Sequence, residues 1–235
     1  MFAIFLICLF AALVQAGVGF GSALVAMPLL VMLLGARTAA PLWAIVGFLT
    51  VGAGLLHFRR AIQFRTVVRL VAASAIGTPA GVWLIKNIDA NVANLALGLL
   101  LTGYSIYALF APSLPELKRQ EWSFPFGFVG GVLNGAFNTA GPPLVMYGAF
   151  RRWPPDRFKG NLQGVFFVSG FVTLVSHVAA GNFTPEVWRI LPWAISGVTL
   201  GLFPGLWLGE RIDEQRARKL TFLLLIGLGI RLILQ

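Results

Sequence analysis

The chain is short of charge. Only 11% of its 235 residues are Asp, Glu, Lys or Arg and 58% are hydrophobic, against about 25% charged in an ordinary soluble domain. So little polar side chain cannot cover a water-facing surface, which excludes a soluble fold. Acid is scarcest, with eight carboxylates against eighteen Lys and Arg. Those eight, Asp89, Glu116, Glu121, Asp156, Glu186, Glu210, Asp213 and Glu214, fall in loops or at the ends of apolar stretches. None is placed to carry a proton or a sodium ion through an apolar interior. Cys8 is the single cysteine, which excludes an internal disulfide and a multi-thiolate metal centre. Neither a metal nor a cofactor is expected.

What is present is apolar sequence in stretches of nearly membrane-spanning length. They fall at about 1–35, 40–57, 67–86, 92–110, 125–150, 161–178, 188–209 and 219–235, bounded by breakers and basic loops. A β-barrel is excluded because its strands alternate apolar and polar, whereas 95–101 and 220–228 are apolar on every face. The expectation is an all-α polytopic membrane protein. Residues 1–16 lack the Lys or Arg of a cleaved signal, so they read as the first membrane segment. The basic residues lie between spans, where orientation and anionic headgroups explain them, and no nucleic-acid partner is implied. The expected partners are membrane lipid and a small anionic substrate; no oligomeric state is implied.

The chain repeats itself. At an offset of 124 residues, Gly77, Gly81, Trp83, Leu84, Ile88 and Asp89 fall on Gly201, Gly205, Trp207, Leu208, Ile212 and Asp213, followed by Leu99–Leu101 and Gly103 on Leu223–Leu225 and Gly227. The repeats read as 1–110 and 125–235, joined by a cytoplasmic linker over 111–124. Their loops carry opposite charge patterns. Arg37 alone matches Arg151, Arg152, Arg157 and Lys159; Arg59, Arg60, Arg65 and Arg69 match Arg189 alone; Lys86 matches Arg211, Arg216, Arg218 and Lys219. Since Lys and Arg mark the cytoplasmic side, the two copies are expected to be inserted upside down relative to each other. Inversion needs an odd number of crossings per copy, yet each copy has four apolar stretches. One per copy must therefore enter and leave on the same face. The first and fifth are the candidates, each interrupted by a polar, Gly-rich patch that only protein or a water-filled cavity could satisfy. Each repeat is thus expected to be a broken, re-entrant-type hairpin followed by three transmembrane helices, with fourteen basic residues on the cytoplasmic side and four outside.

The two patches carry the candidate chemistry: Gln15, Gly17, Gly19, Gly21 and Ser22 in the first, Asn134, Asn138, Thr139 and Gly141 in the second. A half-helix starting near Ser22 or Thr139 would leave N–H groups unpaired at a partly positive end, a geometry that binds anions. Two such ends facing each other would hold a small oxyanion near the membrane midplane without a buried Lys or Arg. Gln163 is a further cavity candidate. His57 and His177 read as headgroup-level imidazoles, with a proton relay as the rarer alternative. The seven Trp read as interfacial anchors, and the Gly77/Gly81 and Gly201/Gly205 pairs as close helix contacts.

The stretch G-V-G-F-G-S-A-L-V-A-M-P-L-L at 17–30, its partner G-x-x-x-G-A-F-N-T-A-G-P-P-L-V-M at 131–146 and the repeated G-x-x-x-G-x-W-L resemble the TauE/SafE sulfite exporter family of bacterial membrane transporters. The resemblance covers essentially the whole chain. It implies movement of sulfite, an organosulfonate or a related small oxyanion across the cytoplasmic membrane, with export favoured, and maps the substrate region to the two patches. The first patch departs from the commoner G-x-G-G-G form at Phe20, and the second departs at Asn138-Thr139. A buried carboxylate pair and a Ser beside a central His are both missing from the sequence, so a transporter rather than an enzyme is expected. A membrane-embedded accessory subunit, or a carrier of an anion without sulfur, is the alternative.

Overall fold

A computed structural model describes residues 1–18, 21–58, 62–110, 116–209 and 214–234. Among the described residues the regular structure is helical: α1 (Phe2–Val18), α2 (Ser22–Leu34), α3 (Ala36–Phe58), α4 (Phe64–Asn87), α5 (Ala90–Phe110), a 3-10 turn (Gln120–Trp122), α6 (Ser123–Phe137), α7 (Gly141–Phe150), α8 (Pro155–Ala179), α9 (Pro185–Gly209) and α10 (Glu214–Ile233). The first and fifth apolar stretches are the ones that split in two. The others form one helix each, and α4, α5 and α8 are long and apolar enough to cross a membrane.

Helix ends overrun the apolar stretches. α4 starts at Phe64 and α8 at Pro155, so Arg65, Arg69, Arg157 and Lys159 are helical. Apolarity marks the hydrocarbon layer, whereas backbone bonding continues through good helix formers such as Arg and Lys. Asp89, Glu116, Glu121, Asp156 and Glu186 are all exposed.

The described chain forms two compact units, and each draws on both sequence repeats. The first comprises 1–46, 87–112 and 183–235. In it α1 packs along α9 in parallel: a Cβ on Gly197 or Gly201 would collide with the carbonyls of Phe5 and Leu9 respectively. Here α5 packs on α10 in the opposite sense, with Gly98 against Gly229 and Ile233, and Thr102 against Gly229. Tyr104 meets Phe222 edge to face at 5.8 Å.

The second unit comprises 47–86 and 113–182. Gly127, Gly131 and Gly135 of α6 rest on the carbonyls of Leu70, Ser74 and Thr78 in α4, so these two helices also run parallel at backbone contact. This is the small-residue packing expected of Gly77 and Gly81, whose own Cβ positions would strike the Phe128 and Val132 carbonyls. α8 follows the same direction. Gln63 N–H donates to Asn161 Oδ1 at 2.7 Å, a Cβ on Gly164 would touch the Val67 methyls at 3.5 Å, and the Ser74 and Ser169 hydroxyls bond at 2.9 Å. α7 folds back on α6, with the Phe126 ring tilted against those of Tyr147 and Phe150 and Gly130 against Leu144.

Two sequence expectations change. Trp83, Trp122, Trp188 and Trp193 are exposed as anchors would be, but Trp43 is 1% exposed inside α3. His177 is also buried rather than open to the headgroups, with its Nδ1 2.9 Å from the Asn182 side-chain amide. The His57 side chain lies outside the described part.

Candidate hairpin-break site

The two breaks share one design in backbone terms. α1 ends at residue 18 and α6 at 137, while α2 starts at 22 and α7 at 141, so both boundaries recur at an offset of 119 residues. Gly21 precedes α2 at φ +98°, a conformation that glycine adopts without strain. Asn138 ends α6 at φ +53°, and asparagine is the side chain that best tolerates that region after glycine. Asn138 N–H donates to the Asn134 carbonyl at 2.8 Å and Thr139 N–H to the Leu133 carbonyl at 3.3 Å. This αL-type closure caps two carbonyls at the end of α6 and turns the chain at once into α7.

The hydroxyls do not share the design. Ser22 is the first residue of α2 and is buried, whereas Thr139 precedes α7 by two residues. The amide donors differ as well. The first turn of α2 keeps the N–H groups of Ser22, Ala23 and Leu24, with Val25 N–H donating to the Gly21 carbonyl at 3.2 Å. α7 begins Gly141-Pro142-Pro143, and proline has no N–H, so two of the donors usual at a helix start are missing. The expectation of equal amide-rich ends therefore holds for α2 and only in reduced form for α7.

What remains at the second break is the Thr139 side chain. It is 1% exposed and its Oγ1 has no hydrogen-bond partner. A buried hydroxyl without a partner costs about 1–3 kcal/mol, a cost that a bound acceptor would remove. Space adjoins it in the chain, since a Cβ on Gly141 would meet nothing within 4 Å.

Asn138, Thr139 and Gly141 thus stand together, and Asn134 lies one turn before them. Its amide is committed, donating to Thr173 Oγ1 at 2.8 Å, while the Thr173 hydroxyl donates to the Ser169 carbonyl at 2.9 Å. Asn134 clamps the hairpin to α8 rather than facing an open site. Gln163 is not part of this group. It precedes Thr173 by ten residues on a helix parallel to α6, a displacement of about 15 Å toward the start of α4. There it is buried with Oε1 unpartnered. In the first hairpin, Gln15 is half-buried in α1, and Gly17 lies in its last turn. Gly19 lies outside the described residues. Gly135 reaches Val82, so residue 138 stands opposite the last turn of α4.

Comparison with known proteins gives the class of molecule. Over 177 residues the chain is 29% identical to "Probable sulfite/organosulfonate exporter TauE" of Cupriavidus necator, covering 71% of this chain and 68% of that protein. It is 27% identical to "Probable inner membrane transporter protein TsaS" of Comamonas testosteroni, over 76% of this chain and 75% of the relative. It is 23% identical to "Probable membrane transporter protein YfcA" of Escherichia coli K12, over 73% and 64% respectively. No solved structure matches the chain significantly. The family model for sulfite exporter TauE/SafE matches residues 4–232, nearly the entire chain, which therefore belongs to that family of membrane transporters.

Proposed function

We propose that the protein exports a small oxyanion, sulfite or an organosulfonate, across the bacterial cytoplasmic membrane, and that its hairpin breaks bind the anion. The observation that carries this reading is Thr139, a hydroxyl without a partner, 1% exposed, at a helix break in an apolar hairpin. In the first hairpin the opening turn of α2 keeps the amides of Ser22, Ala23 and Leu24 as anion donors of its own, whereas Pro142 and Pro143 carry no N–H. The substrate class follows the name of the Cupriavidus necator relative.

The same reading takes the chain as two inverted repeats. Three relationships support it: the common 119-residue offset of the breaks, the parallel contacts of α1 with α9 and of α4 with α6, and the opposed contact of α5 with α10. Under a two-fold axis in the membrane plane, helices that are each other's counterparts meet antiparallel, as α5 and α10 do.

Export of an anion needs no coupling ion. An inside-negative potential favours exit by about 2.3 kcal/mol per charge per 100 mV, and the five described carboxylates with visible side chains are all exposed. Purified protein in liposomes tests this. Sulfite or methanesulfonate flux should follow an imposed potassium-diffusion potential and ignore a proton gradient of equal size. Flux that follows the proton gradient alone, or ligand binding without flux, contradicts it.

A further inference from the structure

A second group of unsatisfied donors lies at the opposite, Arg-rich end of the same hairpin. Arg151, one residue past α7, donates through one terminal nitrogen to the carbonyls of Leu117 at 2.6 Å and Lys118 at 2.7 Å. With Leu117 N–H donating to the Phe150 carbonyl at 3.0 Å, this ties the 116–119 segment to the hairpin base. Arg69 of α4 reaches the same segment by donating to Gln120 Oε1. Neither arginine has a carboxylate partner: among the described residues the ion pair is Arg152 with Glu116, at 3.9 Å.

Donors are left over. Arg151 Nε is buried with no partner, and so is the hydroxyl of Ser123, a residue 1% exposed. Ser123 is the first residue of the fifteen-residue α6, whose positive dipole end lies here. Arg69 and Arg151 both bond to the 117–120 segment, which leads through one 3-10 turn into Ser123, so these groups converge although they are far apart in the chain. Buried donors on a positively charged rim, with no acceptor, call for an anion.

We propose that Arg69, Arg151 and Ser123 form an oxyanion-binding site at the base of the α6–α7 hairpin, taking one tetrahedral phosphate-type group. The group comes either from a free anion in solution or from the headgroup of an anionic lipid. Arg151 and Ser123 supply the buried donors, the α6 N-terminus adds partial charge, and Arg69 supplies a fork from the exposed side. The site goes beyond the transport reading and does not depend on the hairpin break.

The test uses the full chain in neutral detergent at constant ionic strength. Its thermal midpoint is followed against inorganic phosphate, against short-chain phosphatidylglycerol, and against phosphatidylcholine of equal chain length. The expected result is saturable stabilisation by phosphate or by phosphatidylglycerol, but not by phosphatidylcholine. Arg69→Gln, at an exposed side chain, should raise the half-saturating concentration about tenfold, the loss of one charge-assisted bond. Arg69→Lys should fall between, and Ser123→Ala should weaken the response. A response to phosphate identifies a free anion as ligand, a response to phosphatidylglycerol alone identifies a lipid headgroup, and either supports the site. Absence of a saturable response to both, a response to phosphatidylcholine equal to that of phosphatidylglycerol, or an identical response in Arg69→Gln and Ser123→Ala overturns it. Thr139→Val should leave this response unchanged, and a failure of flux in liposomes would leave it readable, so the two readings can fall separately.

Discussion

Asn134 and Thr173 are joined by a 2.8 Å hydrogen bond that crosses from the α6–α7 hairpin to α8 inside the second unit. Through the Ser169 carbonyl and hydroxyl it continues to Ser74 of α4, so three helices share one buried polar chain. Such bonds in apolar surroundings are worth about 0.6–1.7 kcal/mol. Asn134→Leu and Thr173→Val should each lower stability in detergent, and the double variant should lose less than the sum. A double-mutant cycle by reversible denaturation checks this, with a coupling of about 1 kcal/mol expected. Additive losses would mean that the bond contributes nothing.

The helical glycines should divide into two classes. A Cβ on Gly81 or Gly135 would run into the carbonyl of Val132 or Thr78, whereas Gly103 and Gly227 have nothing within 4 Å. Gly81→Ala and Gly135→Ala should therefore destabilise by about 1–3 kcal/mol, the usual overpacking range. Gly103→Ala and Gly227→Ala should be tolerated or slightly stabilising, because alanine is the better helix former. Fluorescence-detected size exclusion after heating distinguishes the classes.

Insertion of the repeats can be read chemically. Arg37 and Asp156 are exposed at corresponding positions, while the native Cys8 is 0% exposed and should stay silent to impermeant maleimide. Arg37→Cys and Asp156→Cys should label from opposite faces of intact cells. Labelling from one face would contradict inversion.

Both hairpin breaks are legible in the sequence, because Gly-x-Gly-x-Gly and Asn-Thr-Ala-Gly-Pro-Pro cannot continue a helix inside an apolar run. The contact faces of Gly77, Gly81 and Gly201 are legible for a similar reason: small residues one turn apart admit backbone contact. Helix register is not. Gln163 looks cavity-facing by its apolar neighbours, yet the parallel course of α4, α6 and α8 carries it away from the break. The grouping of Arg69, Arg151 and Ser123 is equally hidden, since each comes from a different segment and reads alone as an ordinary interfacial residue. Thr139 is visible as a polar residue at a break, but its lack of a partner emerges only from packing.

Transport of an oxyanion by backbone amides and hydroxyls, rather than by an ionised side chain, is tested most directly at Thr139. Because Oγ1 makes no bond within the protein, Thr139→Val should leave the thermal stability of the ligand-free protein unchanged or slightly raised. The same change should cut the initial rate of sulfite or methanesulfonate flux in liposomes about tenfold, and Thr139→Ser should restore most of it. Undiminished flux in Thr139→Val, at equal stability and equal reconstitution, would contradict the account.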